Sequence, residues 1–172
     1  MADLIVRRAT HADAPVINDI YNHYVRTSTA TFDTVEMSLA GRAEWLTHHG
    51  DEHPVLVVEQ AGEVMAWGSL SRWASREAWR HTVEVSTYVA ATALGRGIGP
   101  VLLRELIEAA RSRGHHAVIA QISSDNLPSL KMGERAGFKR VGTLREVGHK
   151  FDRWIDLAML ELILEYDDED CS

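Results

Sequence analysis

Residues 82–89 alternate in polarity, with Val83, Val85, Thr87 and Val89 on one face and Glu84, Ser86 and Tyr88 on the other. Such a strand carries one carboxylate on a polar face, and it leads towards Gly95-Arg96-Gly97-Ile98-Gly99. Glycines let successive backbone N–H groups point inward together, and a helix start behind them adds partial positive charge. That combination suits phosphate or pyrophosphate. A second group with chemical potential lies just upstream, where Arg72, Trp73, Ser75, Arg76, Trp79 and Arg80 share a stretch with no clear period. Guanidinium groups pair bidentately with carboxylate or phosphinate, and indole rings close an apolar wall. This segment therefore reads as a recognition loop for a small anion, against the plainer alternative of surface arginines above two core tryptophans.

The elements that must position these residues are legible in outline. Residues 4–8 form a short strand candidate, and Thr10 with Asp13 resembles a capping box ahead of a helix bearing Val16, Ile17, Ile20, Tyr21 and Tyr24 at helical spacing. The Ser/Thr-rich residues 27–34 break that pattern, with Phe32 as their only large apolar group. Ser38 is placed to cap a second helix carrying Trp45 and Leu46. Apolar runs at 55–59 and 64–70 flank Gln60-Ala61-Gly62-Glu63 and read as a hairpin. Segment 72–81 is expected to be a loop. After the glycine loop, Pro100 suits a first helical turn, Leu102, Leu103, Leu106, Ile107 and Ala110 form an apolar face, and Gly114 is a natural stop. Residues 117–123 form a further strand, Asp125 or Asn126 caps a helix running to Gly137, and strands are expected at 139–144 and 154–162.

Composition narrows the classes of function. The chain has 172 residues, 45% hydrophobic and 25% charged, which suits one soluble domain. Its net charge is −7, but Glu165, Asp167, Asp168, Glu169 and Asp170 supply five of those negatives, so the body is close to neutral. We divide the chain into a single domain, 1–164, and an acidic tail, 165–172. Neither part offers the basic face that nucleic acid requires. The one cysteine, Cys171, forms no internal disulfide and anchors no zinc cluster. Asp3, Arg7, Arg8, His11 and Asp13 interrupt any apolar leader, and no long apolar run occurs, so a cytoplasmic protein without membrane contact is expected. Nine histidines include His48, His49 and His53 and the pair His115 and His116, but no tetrahedral metal set can be built from them. They read as solvated groups at helix ends, and no metal is expected.

Three ligand readings of the glycine loop compete. A P-loop needs Gly-Lys-Ser/Thr, where this chain has Gly99-Pro100-Val101. A dinucleotide fingerprint needs its third glycine where Pro100 stands, and an acid about 20 residues later that is missing. A glycine turn without a ligand is the third.

The surroundings decide among them. Leu94-Gly95-Arg96-Gly97-Ile98-Gly99, together with Asn126-Leu127-Pro128-Ser129 and Glu134-Arg135-Ala136-Gly137-Phe138, resembles the GNAT acetyltransferase superfamily across Ile5 to about Leu164. Ile20-Tyr21-Asn22-His23-Tyr24, Thr82-Val83-Glu84 with Ser86 and Tyr88-Val89, Gly148-His149-Lys150-Phe151 and Trp154-Ile155-Asp156-Leu157 are similar to the phosphinothricin and methionine sulfone or sulfoximine acetyltransferases within it. The resemblance implies an α/β fold, a mixed β-sheet flanked by helices on both faces. It also implies acetyl-CoA as co-substrate, a small amine as acceptor and a homodimer.

The resemblance further implies roles for single residues. Thr87, Tyr88 and Val89 would pair with the pantetheine arm, and a bulge near Val89 would open a slot for it. Gly95, Arg96, Gly97, Ile98, Gly99 and Pro100 would hold the pyrophosphate, and Asn126 would contact pantetheine. Glu84 would be the general base or else an anchor for the substrate ammonium. Phe32, Trp73, Ser75, Arg76, Arg80, Glu84, Val85 and Ser86 would line the acceptor site. Three positions depart from the family pattern, the first being Leu94, where glutamine or arginine usually opens the pyrophosphate loop. Gly133 stands where a general acid is usual, leaving Tyr88 or water as substitutes, and Val85 replaces a polar residue. Two other functions stay open: acetylation of a protein N-terminus or lysine, which predicts an open acidic groove, and a non-catalytic acyl-CoA-binding module.

Overall fold

The computed structural model describes residues 3–165; of the acidic tail only Glu165 falls among them, and Cys171 lies outside the described residues. Seven strands and four helices follow one another as β1 (Leu4–Arg8), α1 (Ala14–Thr27), α2 (Leu39–Thr47), β2 (Val55–Gln60), β3 (Glu63–Arg72), β4 (Thr82–Val89), α3 (Ile98–Ser112), β5 (Ala117–Ser123), α4 (Leu127–Arg135), β6 (Lys139–Lys150) and β7 (Arg153–Ile163). The strands form one sheet in the order β1-β2-β3-β4-β5-β7-β6. Every neighbouring pair is antiparallel except β4 and β5. The glycine loop and α3 are therefore the crossover that a parallel pair requires.

Alternation along the central strands sends apolar side chains to both faces. Leu70, Val83, Val85 and Val118 pack with Leu102, Leu103 and Leu106 of α3 and with Leu130 of α4. On the opposite face Trp67 packs with Val57, Ile17 and Ile20 of α1 and Leu46 of α2. Gly68 makes the first contact possible. A methyl group there would stand 2.6 Å from the Ser86 carbonyl oxygen and 2.7 Å from a Leu106 methyl. The missing side chain thus lets α3 lie directly on the β3–β4 pair.

Local signals explain most of the boundaries. Ser38 caps α2 by accepting from the Gly41 N–H at 3.1 Å, and Asn126 caps α4 by accepting from Ser129 at 3.4 Å. Thr10 and Asp13 form the expected box, but it opens a single 3₁₀ turn, His11–Asp13, which leads into α1. Segment 72–81 is irregular apart from a 3₁₀ turn at Glu77–Trp79, with Arg72 closing β3. Two expectations need correction. β6 runs to Lys150 instead of stopping at 144, because register shifts between Arg140/Gly142 and Leu144/Gly148 break the alternation that marks a strand. β7 starts at Arg153, after a tight turn in which Phe151 and Asp152 take φ of 53° and 55° with no glycine to announce it.

Because the methyl group of alanine would meet backbone at Gly68, Gly68→Ala is expected to lower stability by about 1–3 kcal/mol, as overpacking does. Urea unfolding followed by circular dichroism checks this; an unchanged midpoint would mean that α3 has slack against the sheet.

Candidate functional site

The parallel pairing of β4 with β5 covers Thr82↔Ala117, Val83↔Val118 and Glu84↔Ile119 and then stops. β3, by contrast, stays in register with β4 from Val83 to Val89 without interruption. The bulge expected near Val89 is therefore absent; the register shift in this part of the sheet falls between β2 and β3, at Val58/Glu59. The gap arises because β5 leaves β4 after Glu84. The Trp73 N–H bonds to the Thr82 carbonyl and the Ala90 N–H to the Met65 carbonyl, so even-numbered residues of β4 face β3. By the alternation of an antiparallel ladder, Thr87 and Val89 turn their backbone polar groups towards the gap. Tyr24 of α1 donates its hydroxyl to the Val89 carbonyl at 2.5 Å, which leaves the Thr87 groups and the Val89 N–H on the open edge. A cleft occupies this gap, bordered by Val85, Ser86, Thr87, Tyr88, Ala120, Ile122, Met132, Gly133 and Ala30.

The glycine loop ends at the mouth of the gap. Gly95 and Gly97 take φ of 75° and 77°, conformations that need glycine, and nothing lies near either α-carbon on its side-chain face. Gly97 is the N-cap of α3, so the N–H groups of Gly97, Ile98 and Gly99 belong to an unpaired helix start, while Pro100 has none to satisfy. Gly99 is packed: a methyl group there would stand 3.0 Å from the Met132 sulfur. Exposed Arg96 reaches across the loop to the Gln60 side chain. Together these residues supply a strand edge in need of a partner and a bare cationic helix end, which fit an extended amide-bearing chain ending in pyrophosphate, such as coenzyme A. Asn126 spends its side-chain oxygen on the α4 cap, which leaves the amide nitrogen as its donor.

Glu84 stands where β4 and β5 part, half-buried on the face of α1 and α2. Burial raises its pKa above the ordinary glutamate value, and a hydrogen bond from Gln121 of β5 partly opposes that rise. Further along the same face Tyr88 stacks on Trp67, with ring centres 4.9 Å apart, and burial pushes its hydroxyl pKa strongly up, making it a poor acid. Tyr21 stands edge-on to Tyr88 at 5.1 Å, bonds Thr31 Oγ1 at 2.8 Å and donates to Asp33 at 2.5 Å. Its own pKa is pushed up to about 12, by burial first and then by the Asp33 carboxylate. Behind this group Arg42 of α2 is 2% exposed, its guanidinium 4.7 Å from the rings of both Tyr21 and Trp45. Burial lowers its pKa, and one of its terminal nitrogens has no hydrogen-bond partner.

The structure brings Glu84, Val85, Ser86, Thr87, Tyr88 and Val89 together along the gap, with the glycine loop at one end. Phe32 lies on the α1–α2 connection, its ring against Gly148. Segment 72–81 is less enclosed than a pocket wall. Ser75, Arg76 and Arg80 are exposed, Arg76 lies over the Trp79 ring at 5.6 Å, and Arg80 pairs with Glu77. Trp79 is 41% exposed, so it is no core tryptophan, whereas Trp73 is half-buried. Tyr21, Tyr24, Thr31, Asp33, Arg42 and Gln121 join the site without having been named as site residues from sequence; of these only Tyr21 and Tyr24, three residues apart on the apolar face of α1, carried a signal. His48 is exposed and bonds a carbonyl at the end of α2 as expected, but His49 is half-buried against Trp45, and His115 is buried at 4% exposure, bonded to the Glu52 carbonyl rather than to solvent. Among the described residues no three of His, Cys, Asp and Glu group to hold a metal ion, and no helix is long and apolar enough to cross a membrane.

Comparison with known proteins matches this architecture to one family. The model of the acetyltransferase (GNAT) domain aligns with residues 6–159. The chain is 40% identical, over 93% of its length and 94% of the other, to the L-methionine sulfoximine/L-methionine sulfone acetyltransferase of Pseudomonas aeruginosa. The ribosomal-protein-alanine N-acetyltransferase of Brucella melitensis superimposes with a TM-score of 0.91 at 42% identity, covering 93% of this chain and 99% of that one. The yncA protein of Salmonella typhimurium, solved with its cofactor acetyl-CoA, superimposes with a TM-score of 0.92 at 35% identity over 96% of each chain. The chain belongs to the GNAT acetyltransferase family and is an acyltransferase.

Because burial raises the folded-state pKa of Glu84, the stability associated with its neutral form is present below the unfolded glutamate pKa and is lost as pH rises through the folded value. Glu84→Gln removes that loss. Its melting temperature relative to wild type is expected to rise between pH 4 and pH 8; a difference that stays constant with pH would show that Glu84 is not desolvated.

Proposed function

We propose that this protein transfers the acetyl group of acetyl-CoA to the primary amine of a small amino-acid-like molecule of the phosphinothricin, methionine sulfone or methionine sulfoximine type. The observation that carries this reading is the position of Glu84. A desolvated carboxylate stands at the point where β4 and β5 part, on the strand whose free edge borders the gap. An ammonium has no lone pair, so it must lose a proton before it can attack a thioester. Glu84, its pKa raised by burial, accepts that proton directly or through one water. The freed nitrogen attacks the thioester carbonyl and forms a C–N bond, and the carbonyl oxygen takes up negative charge. The Val89 N–H, turned to the open edge, donates to that oxygen. Collapse of the intermediate breaks the C–S bond and expels the CoA thiolate, the weaker base, which becomes the thiol by taking up, through solvent, the second proton that the acylated nitrogen sheds. No acid is assigned: Gly133 has no side chain, and Tyr88 holds its proton too tightly.

Thr87 and Val89 pair with the pantetheine amides as a further strand would, the Asn126 amide nitrogen donates to that arm, and Gly95, Arg96, Gly97, Ile98, Gly99 and Pro100 receive the pyrophosphate at the start of α3. Phe32, Val85 and Ser86 shape the acceptor side. Trp73, Ser75, Arg76 and Arg80 close over the acceptor's anionic group, a movement that the exposure of Ser75, Arg76 and Arg80 allows. Val141, Leu144, Val147 and Trp154, each at least 49% exposed, support a homodimer through the β6–β7 end of the sheet, whereas Ile155, Ala158 and Leu160 of β7 are core. Use of acetyl-CoA suits a cytoplasmic location. The likeness to the Brucella enzyme favours one second reading, acetylation of a peptide N-terminus beginning with alanine.

Release of CoA thiol from acetyl-CoA, measured with each amino-acid analogue and with a short alanine-initiated peptide, separates the two. Turnover confined to the analogues is expected, with Glu84→Gln lowering kcat/KM by about 10²–10⁴. Turnover of the peptide alone would replace the acceptor class, and acetyl-CoA binding with no turnover of any acceptor would leave an acyl-CoA-binding module.

A further inference from the structure

Gly148-His149-Lys150-Phe151 takes no part in the chemistry above, yet it contains the most unusual ammonium group in the molecule. Lys150 ends β6 and is 5% exposed. No carboxylate forms an ion pair with it among the described residues. Its Nζ donates instead to three backbone carbonyls, those of Ser28 at 2.7 Å, Thr31 at 2.8 Å and Tyr24 at 3.4 Å. An ammonium has three donors, so all of them are accounted for. Tyr24 and Ser28 mark the C-terminal end of α1, where exposed carbonyls favour a cation. Burial lowers the Lys150 pKa, and the nearby Asp33 carboxylate opposes that effect.

The bonds to Ser28 and Thr31 hold the connection between α1 and α2, the bond to Tyr24 ties them to the end of α1, and neighbouring residues hold the same segment. Thr29 donates its hydroxyl to Asp125 at 2.7 Å, and Asp125 also receives Arg153 from the other arm of the β6–β7 hairpin. The Phe32 ring fits where Gly148 has no side chain; a methyl group there would stand 2.5 Å from the ring. The connection in turn contributes Ala30 to the border of the cleft and Thr31 and Asp33 to the hydroxyl of Tyr21.

We propose that Lys150 is a positioning residue whose ammonium group fixes residues 28–33 as the acceptor-side wall of the site. The inference rests on the acceptor reading given above. A buried cation bonded to three carbonyls has only one good arrangement, because any shift of the segment strands a charge away from water. A compact ammonium suits this three-way task, which a planar guanidinium does not. Residues 28–33 lie away from the glycine loop and reach the cofactor's cleft through Ala30, so their displacement weakens acceptor binding more than acetyl-CoA binding.

The test compares wild type with Lys150→Met, which keeps the chain length and apolar stem. Acceptor KM is expected to rise about tenfold or more, the effect of losing charge-assisted hydrogen bonds. The acetyl-CoA Kd, measured by calorimetry, is expected to stay within about twofold. An unchanged acceptor KM, or an acetyl-CoA Kd that weakens in step with it, overturns the proposal. If Lys150→Met does not fold, Thr29→Val loosens the same segment from Asp125, and the same split between acceptor KM and acetyl-CoA Kd decides. If wild type turns over no acceptor, the functional reading fails by itself. Amide hydrogen exchange then decides for Lys150: faster exchange confined to residues 28–33 in Lys150→Met supports the tie, and unchanged exchange refutes it.

Discussion

Two parallel strands that bond for three residues and then separate create a demand for hydrogen bonds that the protein itself does not meet. Backbone amides and carbonyls removed from one partner must find another. At the edge of β4 this demand falls on Thr87 and Val89, within the sheet rather than at its margin. The rest of the architecture holds that gap open and shapes it. β3 keeps β4 straight through an uninterrupted ladder, α3 presses on both strands through the space left at Gly68, and β7 holds β5 on its far side. An extended ligand with amides along its length can occupy the place of the missing strand, as peptides do at exposed sheet edges.

The same separation sorts the chemistry by face and by end. Glu84 lies where the strands part, the glycine loop lies where they are furthest apart, and the distance between them is spanned by one strand. In the function proposed above, a cofactor laid along that strand would carry its reactive end to the carboxylate. The two faces of the sheet divide the remaining work: Leu102, Leu103 and Leu106 make an apolar bed on one side, and Tyr21, Thr31, Asp33 and Tyr88 make a polar lining on the other. Strand alternation within β4 generates this division without any special feature of sequence.

Elements whose signals are local were legible in the chain itself. The alternation of residues 82–89, the glycine loop before a strongly amphipathic helix, and the caps at Ser38 and Asn126 each depend on neighbours within a few positions. The long β6 strand was not legible past residue 144, because its register shifts and the positive φ of Glu146 interrupt the period of two. The turn at Phe151 and Asp152 uses residues that give no turn signal. Most of the acceptor side was hidden for a different reason. Tyr24 reaches Val89 across 65 positions, and Lys150 reaches Thr31 across 119, so these contacts exist only once the strands are ordered in the sheet. The gap was expected, but for a cause that proved wrong: strand divergence produces it, not a bulge.

Arg42 gives this polar lining a property that none of its neighbours has. Tyr21, Glu84 and Tyr88 gain or lose protons somewhere on the pH scale, whereas a guanidinium remains protonated. Locked between aromatic rings and out of reach of dissolved salt, it sets a constant positive background behind groups whose charges change. Catalytic centres that rely on surface charges drift with ionic strength, because the counter-ion cloud rearranges around them. Here the bias is built into the apolar core, so the electrostatic setting of the acceptor side is inherited from packing and persists as long as α2 stays docked.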